Sequence, residues 1–246
     1  MEIVNRFVKL SSISTMIVIL YACVTPAPVV EEIVYEDPTP ARMNPTDLSL
    51  SGLMTTDAEL DALFRQQLDA GVAAILPQEI EAYLNEQETR LKNGFEASGM
   101  TVNDLGDYIS VQIPVRSLFS LQGSDLAPHA FDDIEALADF LAYYESSVVE
   151  ISSHTSASDS KEYDLNVSER RASTIANMFA ALDIDSQRLI TVAGGSDHPI
   201  AQGNSDSDRD LNLRVELSLI PIRDKEAEAE AAAAAAAEAM AALEDS

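Results

Sequence analysis

"ISSHTSASDSKEYDLNVSERRA", residues 151–172, is the stretch whose reading decides the fold. It opens at the end of a short β-branched run, "SVVEIS" (147–152), which reads as a strand. A polar loop follows over 153–163. The chain then resumes as "LNVSERRASTIANMFAALD", where Val167, Ile175, Met178, Phe179 and Leu182 recur at helical spacing. Strand, polar loop and helix succeed one another here without a gap. Loops at strand ends on a rigid scaffold are where ligand groups usually sit. Ser153, Thr155 and Ser156 supply hydroxyls, and Arg170 and Arg171 supply two cations, in a chain that is otherwise acidic. One reading is a pocket for an anionic or zwitterionic ligand, because a guanidinium grips a carboxylate through a fixed fork. The other is an ordinary helix surface. Neighbouring helix residues point ~100° apart, so one arginine faces the loop. The other is solvated or paired with Glu162 or Glu169.

The same alternation extends in both directions. Upstream, "DYISVQIPV" places Ile109, Val111 and Ile113 on one face of a strand. "HAFDDIEALADFLAYYES" then spaces Phe131, Ile134, Leu137 and Leu141 as a helix. Downstream, "QRLITVAG" and "LRVELSLIP" read as two further strands. The order β-α-β-α-β-(short α)-β argues a two-layer α/β sandwich over 100–222, with the helices on one sheet face. Residues 56–98 read as a helical extension. Leu60, Leu63, Phe64 and Leu68 share a face behind a Thr56/Glu59 capping box, and Pro77 opens a second helix that Gly99 stops. The two helices form a hairpin or lie against the following domain. Residues 223–246, "RDKEAEAEAAAAAAAEAMAALEDS", are a low-complexity, solvated tail of high helix propensity.

Composition narrows the function. The 246-residue chain has 42 acidic and 15 basic residues, a net charge of -27. That balance argues against nucleic acid, whose phosphates need a positive surface. With 3 histidines and 1 cysteine, a His/Cys metal site is nearly excluded, and no cofactor is implied. No G-x-S-x-G, H-E-x-x-H or P-loop is present, and "GGS" at 194–196 is too short for a phosphate loop. Ser153, His154 and Asp159 lie close in sequence, but that does not make a catalytic triad. The chain reads as a non-enzyme.

The cysteine is Cys23. Arg6 and Lys9 precede an apolar run, "STMIVILYAC", too short for a membrane span and ordered like a secretory signal over residues 1–22. Leu20-Tyr21-Ala22-Cys23 resembles the lipobox of bacterial lipoproteins, with Tyr21 larger than that position usually carries. The resemblance implies cleavage before Cys23 and acylation of its sulfur, which would anchor the chain in outer-membrane lipid; the alternative is an uncleaved anchor or a simple signal peptide. Val24 stands where inner-membrane lipoproteins often carry Asp. Residues 23–55, rich in Pro and acids, read as the lipidated N-terminus and a flexible linker.

A second resemblance covers about half the chain. "LFSLQGSDLAP", "SHTS", "YDLNVSERRA", "VAGGSDHP" and "RDLNLRVEL" follow the order and spacing of the OmpA-like domain. That family binds peptidoglycan in the outer-membrane protein A C-terminus and in peptidoglycan-associated lipoprotein. The resemblance implies a ligand, the diaminopimelate of the peptide stem, whose ammonium meets an Asp and whose carboxylate meets an Arg. Residue by residue, the family arginine falls on Arg171. The family aspartate falls on Ser156, beside Thr155, and the family asparagine on Asp164. The Asp that often follows the motif phenylalanine falls on Ser120. In the last motif Asn212 and Arg214 are retained, and Leu213 replaces an arginine. Ser156 lacks the charge for the ammonium contact, so Asp164 or Asp159 is expected to restore it. The function implied is a non-catalytic tether between outer membrane and cell wall. The alternative is a periplasmic structural or assembly module that has lost wall binding and contacts an envelope protein.

Overall fold

The computed structural model describes residues 53–95, 98–120, 123–203 and 205–244. The signal segment, Cys23 and the linker up to residue 52 lie outside the described residues.

Among the described residues, seven α-helices and five strands follow in the order α1 (Asp57–Asp69), α2 (Ile80–Gly94), β1 (Thr101–Asp104), β2 (Ile109–Pro114), α3 (Val115–Leu118), α4 (Phe131–Tyr143), β3 (Ser147–His154), α5 (Lys161–Ala181), β4 (Leu189–Gly195), α6 (Asp206–Asn212), β5 (Arg214–Pro221) and α7 (Lys225–Glu244). The strands form one open sheet, ordered β1-β2-β5-β3-β4. Only β3 and β4 run parallel; the other neighbours are antiparallel. The crossover between the parallel strands is α5, the helix read from "LNVSERRASTIANMFAALD".

Alternation along the strands sorts the two faces. Ile109, Val111, Ile113, Val149, Ile151, Val215, Leu217 and Leu219 face the main core, together with α2, α4 and α5 through Leu84, Leu91, Ile134, Leu137, Ile175 and Phe179. This is the expected two-layer sandwich. The helices of the 100–222 domain cover one face, as expected, and the other face is covered by α1 of the helical extension. Val148, Ile220 and Ile222 point the other way and are capped by Leu60 and Phe64 of α1. Each such buried side chain contributes roughly 1.5–3 kcal/mol. β3 is therefore buried at all eight positions. The choice left open for α1 and α2 is thereby resolved: they lie on opposite sides of the sheet and form no hairpin.

Local chemistry explains the ends. Thr56 and Glu59 close the expected capping box at α1. Pro77 opens a 3-10 turn, Pro77–Glu79, that leads into α2. α2 stops at Gly94, earlier than the sequence suggests; Gly99, at φ 76°, serves a later turn instead. β1 has no counterpart among the expected strands. It pairs with β2 through a tight turn in which Asp104 Oδ1 accepts from the Gly106 amide at 2.8 Å. The last three residues of the expected linker also differ from expectation. Leu53, Met54 and Thr55 are buried, because Met54 and Thr55 donate their amides to the buried Glu150 carboxylate at 3.1 and 2.7 Å.

Arg188 holds the base of the sandwich. Its guanidinium is buried and donates to the carbonyls of Ser147 at 2.8 Å, Leu141 at 3.1 Å and Tyr144 at 2.8 Å. A buried cation is tolerated here because backbone oxygens satisfy its donors. α7 is exposed at most of its described positions, and its first turn ties to α1 through Lys225–Asp61 at 2.6 Å and Arg65–Glu226 at 3.2 Å.

Candidate functional site

The register gathers the polar loops at one end of the sheet. Pro114 pairs with Arg214, Ser153 with Val215, and His154 with Gly195. The loops after β2, β3 and β4 therefore emerge together. α5 runs beside them with Asp164, Val167, Ser168, Arg171 and Ala172 buried on one face.

Arg171 is the inward arginine of the pair: it is 4% exposed, while Arg170 is exposed to solvent. This is the outcome expected from the angular step between helix neighbours. Arg171 Nε donates to the Gly123 carbonyl at 3.1 Å, and the guanidinium carbon lies 5.6 Å from the Phe119 ring centroid. Nη1 is buried with no hydrogen-bond partner among the described residues. Burial first, and then the neighbouring Arg170 charge, lower its pKa. Such a group gains from an incoming anion, which supplies both the missing acceptor and the missing counter-charge.

Asp164 lies two helical turns earlier and is 2% exposed. Its Oδ2 accepts from the Ser158 amide at 3.0 Å and the Ser196 hydroxyl at 2.8 Å. Among the described residues no cation pairs with it. Side chains on a helix lean toward its N-terminus, so the long Arg171 side chain reaches back toward the turn that holds Asp164. Ser168, between them, accepts from the Gly195 amide at 3.1 Å and donates to the Leu165 carbonyl at 2.8 Å. Among the described residues Ser153 Oγ and Thr155 Oγ1 are buried without partners.

The remaining sequence candidates are placed elsewhere. The Ser156 hydroxyl donates to the Arg209 carbonyl at 2.8 Å, so it braces α6. Ser120 and Asp159 are exposed. Asn212 is committed to the loop before α6: Oδ1 accepts from the Ile200 and Ala201 amides at 2.9 and 3.0 Å, and Nδ2 donates to the Ala201 carbonyl at 2.8 Å. Arg214 points to the opposite sheet face, where Nε meets Glu216 Oε1 at 2.6 Å and Nη2 meets the His198 carbonyl at 3.2 Å. The structure thus places Asp164 and Arg171 on the buried face of α5, with Thr155 linked to Ser168 of that face through Gly195, and leaves Arg214 outside that group. Ser153 and His154 also diverge, since consecutive strand residues alternate faces. His154 lies beside Arg214 and Glu216, with both ring nitrogens lacking a hydrogen bond.

Three participants carry no clear sequence signal. Gly123 contributes only a carbonyl, which has no signature. Ser196 belongs to "GGS", too short to read as a ligand loop. Ser168 sits three residues before Arg171 within the helix motif, but its residue type alone gives no hint of the Gly195 amide that it accepts from.

Residues 118–212 match the model of the OmpA family. The two-layer sandwich is OmpA-like in fold. "Probable lipoprotein YiaD" of Escherichia coli is 24% identical over 123 residues, 50% of this chain and 56% of that protein. The peptidoglycan-associated lipoprotein of Legionella pneumophila is 29% identical over 103 residues, 41% of this chain and 58% of that one. The chain thus spans little more than half the length of these relatives. The crystal structure of a MotB-like protein from Desulfovibrio vulgaris shares the fold, with a TM-score of 0.53 at 21% identity, over 58% of this chain and 98% of that one. The OmpA-like domain is a non-catalytic module of the periplasmic, envelope-associated superfamily. Among the described residues no group of three His, Cys, Asp or Glu side chains is placed to hold a metal.

Proposed function

We propose that this chain is a peptidoglycan-binding lipoprotein that tethers the outer membrane to the cell wall. The observation that carries the reading is Arg171, a buried guanidinium whose Nη1 has no partner among the described residues. Its partner is a carboxylate of the diaminopimelate in the peptide stem. Asp164 supplies the negative charge for the ammonium of the same residue, a role Ser156 lacks the charge to fill. Thr155 lines the site with a free hydroxyl, while Ser156, Asn212 and Arg214 shape its surroundings. Acylation at Cys23 supplies the membrane end, and Val24 favours the outer membrane. The net charge of -27 repels the acidic stem at long range, but salt screens that repulsion and leaves local pairing intact.

A second reading has one observation in its favour. Five of the six carried-over wall contacts, Ser156, Asn212, Arg214, Asp164 and Arg171, already engage their side chains within the protein. In that reading the domain is a periplasmic assembly module whose partner is an envelope protein.

A pulldown of the lipid-free fragment 24–246 with purified sacculi separates the two. Retention of wild type, with loss in Arg171→Ala and Asp164→Asn, supports the wall anchor. Folded wild type that is not retained rules it out and leaves the assembly module.

A further inference from the structure

On the face of the sheet away from the pocket, Glu150 is 2% exposed and has no cationic partner among the described residues. Its carboxylate is committed to one incoming segment: Oε1 accepts from the Met54 amide at 3.1 Å and Oε2 from the Thr55 amide at 2.7 Å. Those residues lie 96 and 95 positions earlier in the chain. Beyond them, α1 docks through Leu60 and Phe64 onto Val148, Ile220 and Ile222, a cluster separate from the main core.

This docked layer holds a buried acceptor without a partner among the described residues, as α2 does at Gln87. Gln67 is fully buried; its Nε2 donates to the Gln187 carbonyl at 3.2 Å, but its Oε1 has no partner. An unpaired buried acceptor weakens the contact that buries it. The main core packs its strands against α2, α4 and α5 without using α1. The far end of the segment is pinned where the Ile75 amide donates to the Ile222 carbonyl at 2.8 Å.

We propose that Leu53–Ala74 is a releasable strap, latched by Glu150, that lifts from the sheet as one unit while the rest of the OmpA-like domain stays folded. Regions held by a small separate cluster open locally without global unfolding. Its 22 residues extend to a contour of about 75 Å. In a chain fixed to lipid at one end and to the wall at the other, release would lengthen the tether before the wall-bound domain took the full load. That mechanical meaning rests on the tether reading; the release does not.

Hydrogen exchange on the full chain tests it, comparing wild type, Met54→Pro and Glu150→Gln. The proline removes one donor to the latch without touching the sheet. The glutamine keeps the volume of Glu150 but turns one acceptor into a donor facing an amide. Peptides covering 57–72 should exchange together, at least about tenfold faster than β3 and β5. Each variant should speed them about tenfold further and leave β3 and β5 unchanged. Strap peptides that exchange in step with β3 and β5 in wild type would overturn the proposal. So would either variant leaving the strap unchanged, or moving strap and core together. Sacculus retention measured in parallel separates the two claims: a wild type that fails to bind sinks wall anchoring and leaves the strap result standing.

Discussion

Arg171 donates from Nε to the Gly123 carbonyl at 3.1 Å, which joins the crossover helix to the loop after β2 and leaves Nη1 without a partner among the described residues. A lysine carries the charge but not the fork. It can meet the carbonyl or an incoming carboxylate, but not hold both in one plane. Arg171→Lys is therefore expected to fold and to lose at least about tenfold in sacculus affinity, the equivalent of one charge-assisted hydrogen bond. Titration of sacculi against the labelled variant checks this; affinity equal to wild type would mean that charge alone matters at this position.

Asn212 acts on the loop before α6. Its three hydrogen bonds to Ile200 and Ala201 are side chain to backbone and mostly shielded from water. Asn212→Ala leaves two amides and a carbonyl to find water, at a cost of about 2–3 kcal/mol. Urea unfolding should show that loss, and sacculus retention should survive it. A variant of unchanged stability would show that the loop does not need this pin.

Gly194 is a second packing prediction. A Cβ there would lie 2.5 Å from His154 Nδ1 and 2.9 Å from the Ser153 carbonyl oxygen. The carbonyl belongs to β3 and cannot step aside. Gly194→Ala should destabilise the domain by about 1–3 kcal/mol, as overpacking does. A melting temperature within a degree of wild type would contradict the close approach.

His154 gives the domain an acid sensitivity. Burial first, then the charges of Arg214 and His198, hold its pKa down to about 3. Glu216 lies 3.9 Å away but is committed to Arg214 at 2.6 Å. An unfolded histidine titrates near ~6.5, so between the two values the unfolded chain binds a proton that the folded one refuses. Stability from this group is complete above that upper value and is lost as pH falls, by about 3 kcal/mol between pH 7 and pH 4. Glu150 works in the opposite sense. Burial raises its pKa, so its ionisation costs stability as pH rises through the carboxylate range. Comparing wild type with His154→Gln isolates the histidine. The pH 7 to pH 4 loss should shrink in the variant, and an equal loss in both proteins would refute the assignment.

Much of this architecture can be read from residue spacing. β2, β3, β4 and β5 announce themselves by alternation or β-branched runs, and α4 and α5 by apolar residues three and four apart. That one arginine of the pair turns inward follows from helix geometry, and the family resemblance singles out Arg171. Position across the sheet does not. Arg214 and Arg171 look equivalent as motif residues, yet the strand alternation that buries Val215 with the helices sends Arg214 to the other side. Leu53–Thr55 resembles linker because composition does not reveal that a glutamate 95 residues later will accept their amides. β1 is silent in the sequence because four residues with one buried position carry too little pattern.

The strand order also bears on how the chain reaches this state. β5, the last of the five strands to be made, lies at the centre of the sheet between β2 and β3. Ile109 must find Leu219, and Ser147 must find Pro221, so neither earlier strand has its main partner until the chain has emerged past residue 221. Pairings this distant in sequence close slowly. Until they close, β2 and β3 present open edges, the surfaces on which chains stick to one another. A nascent copy stalled short of β5 has no stable sheet to retreat to, and its safety depends on whatever holds it during synthesis.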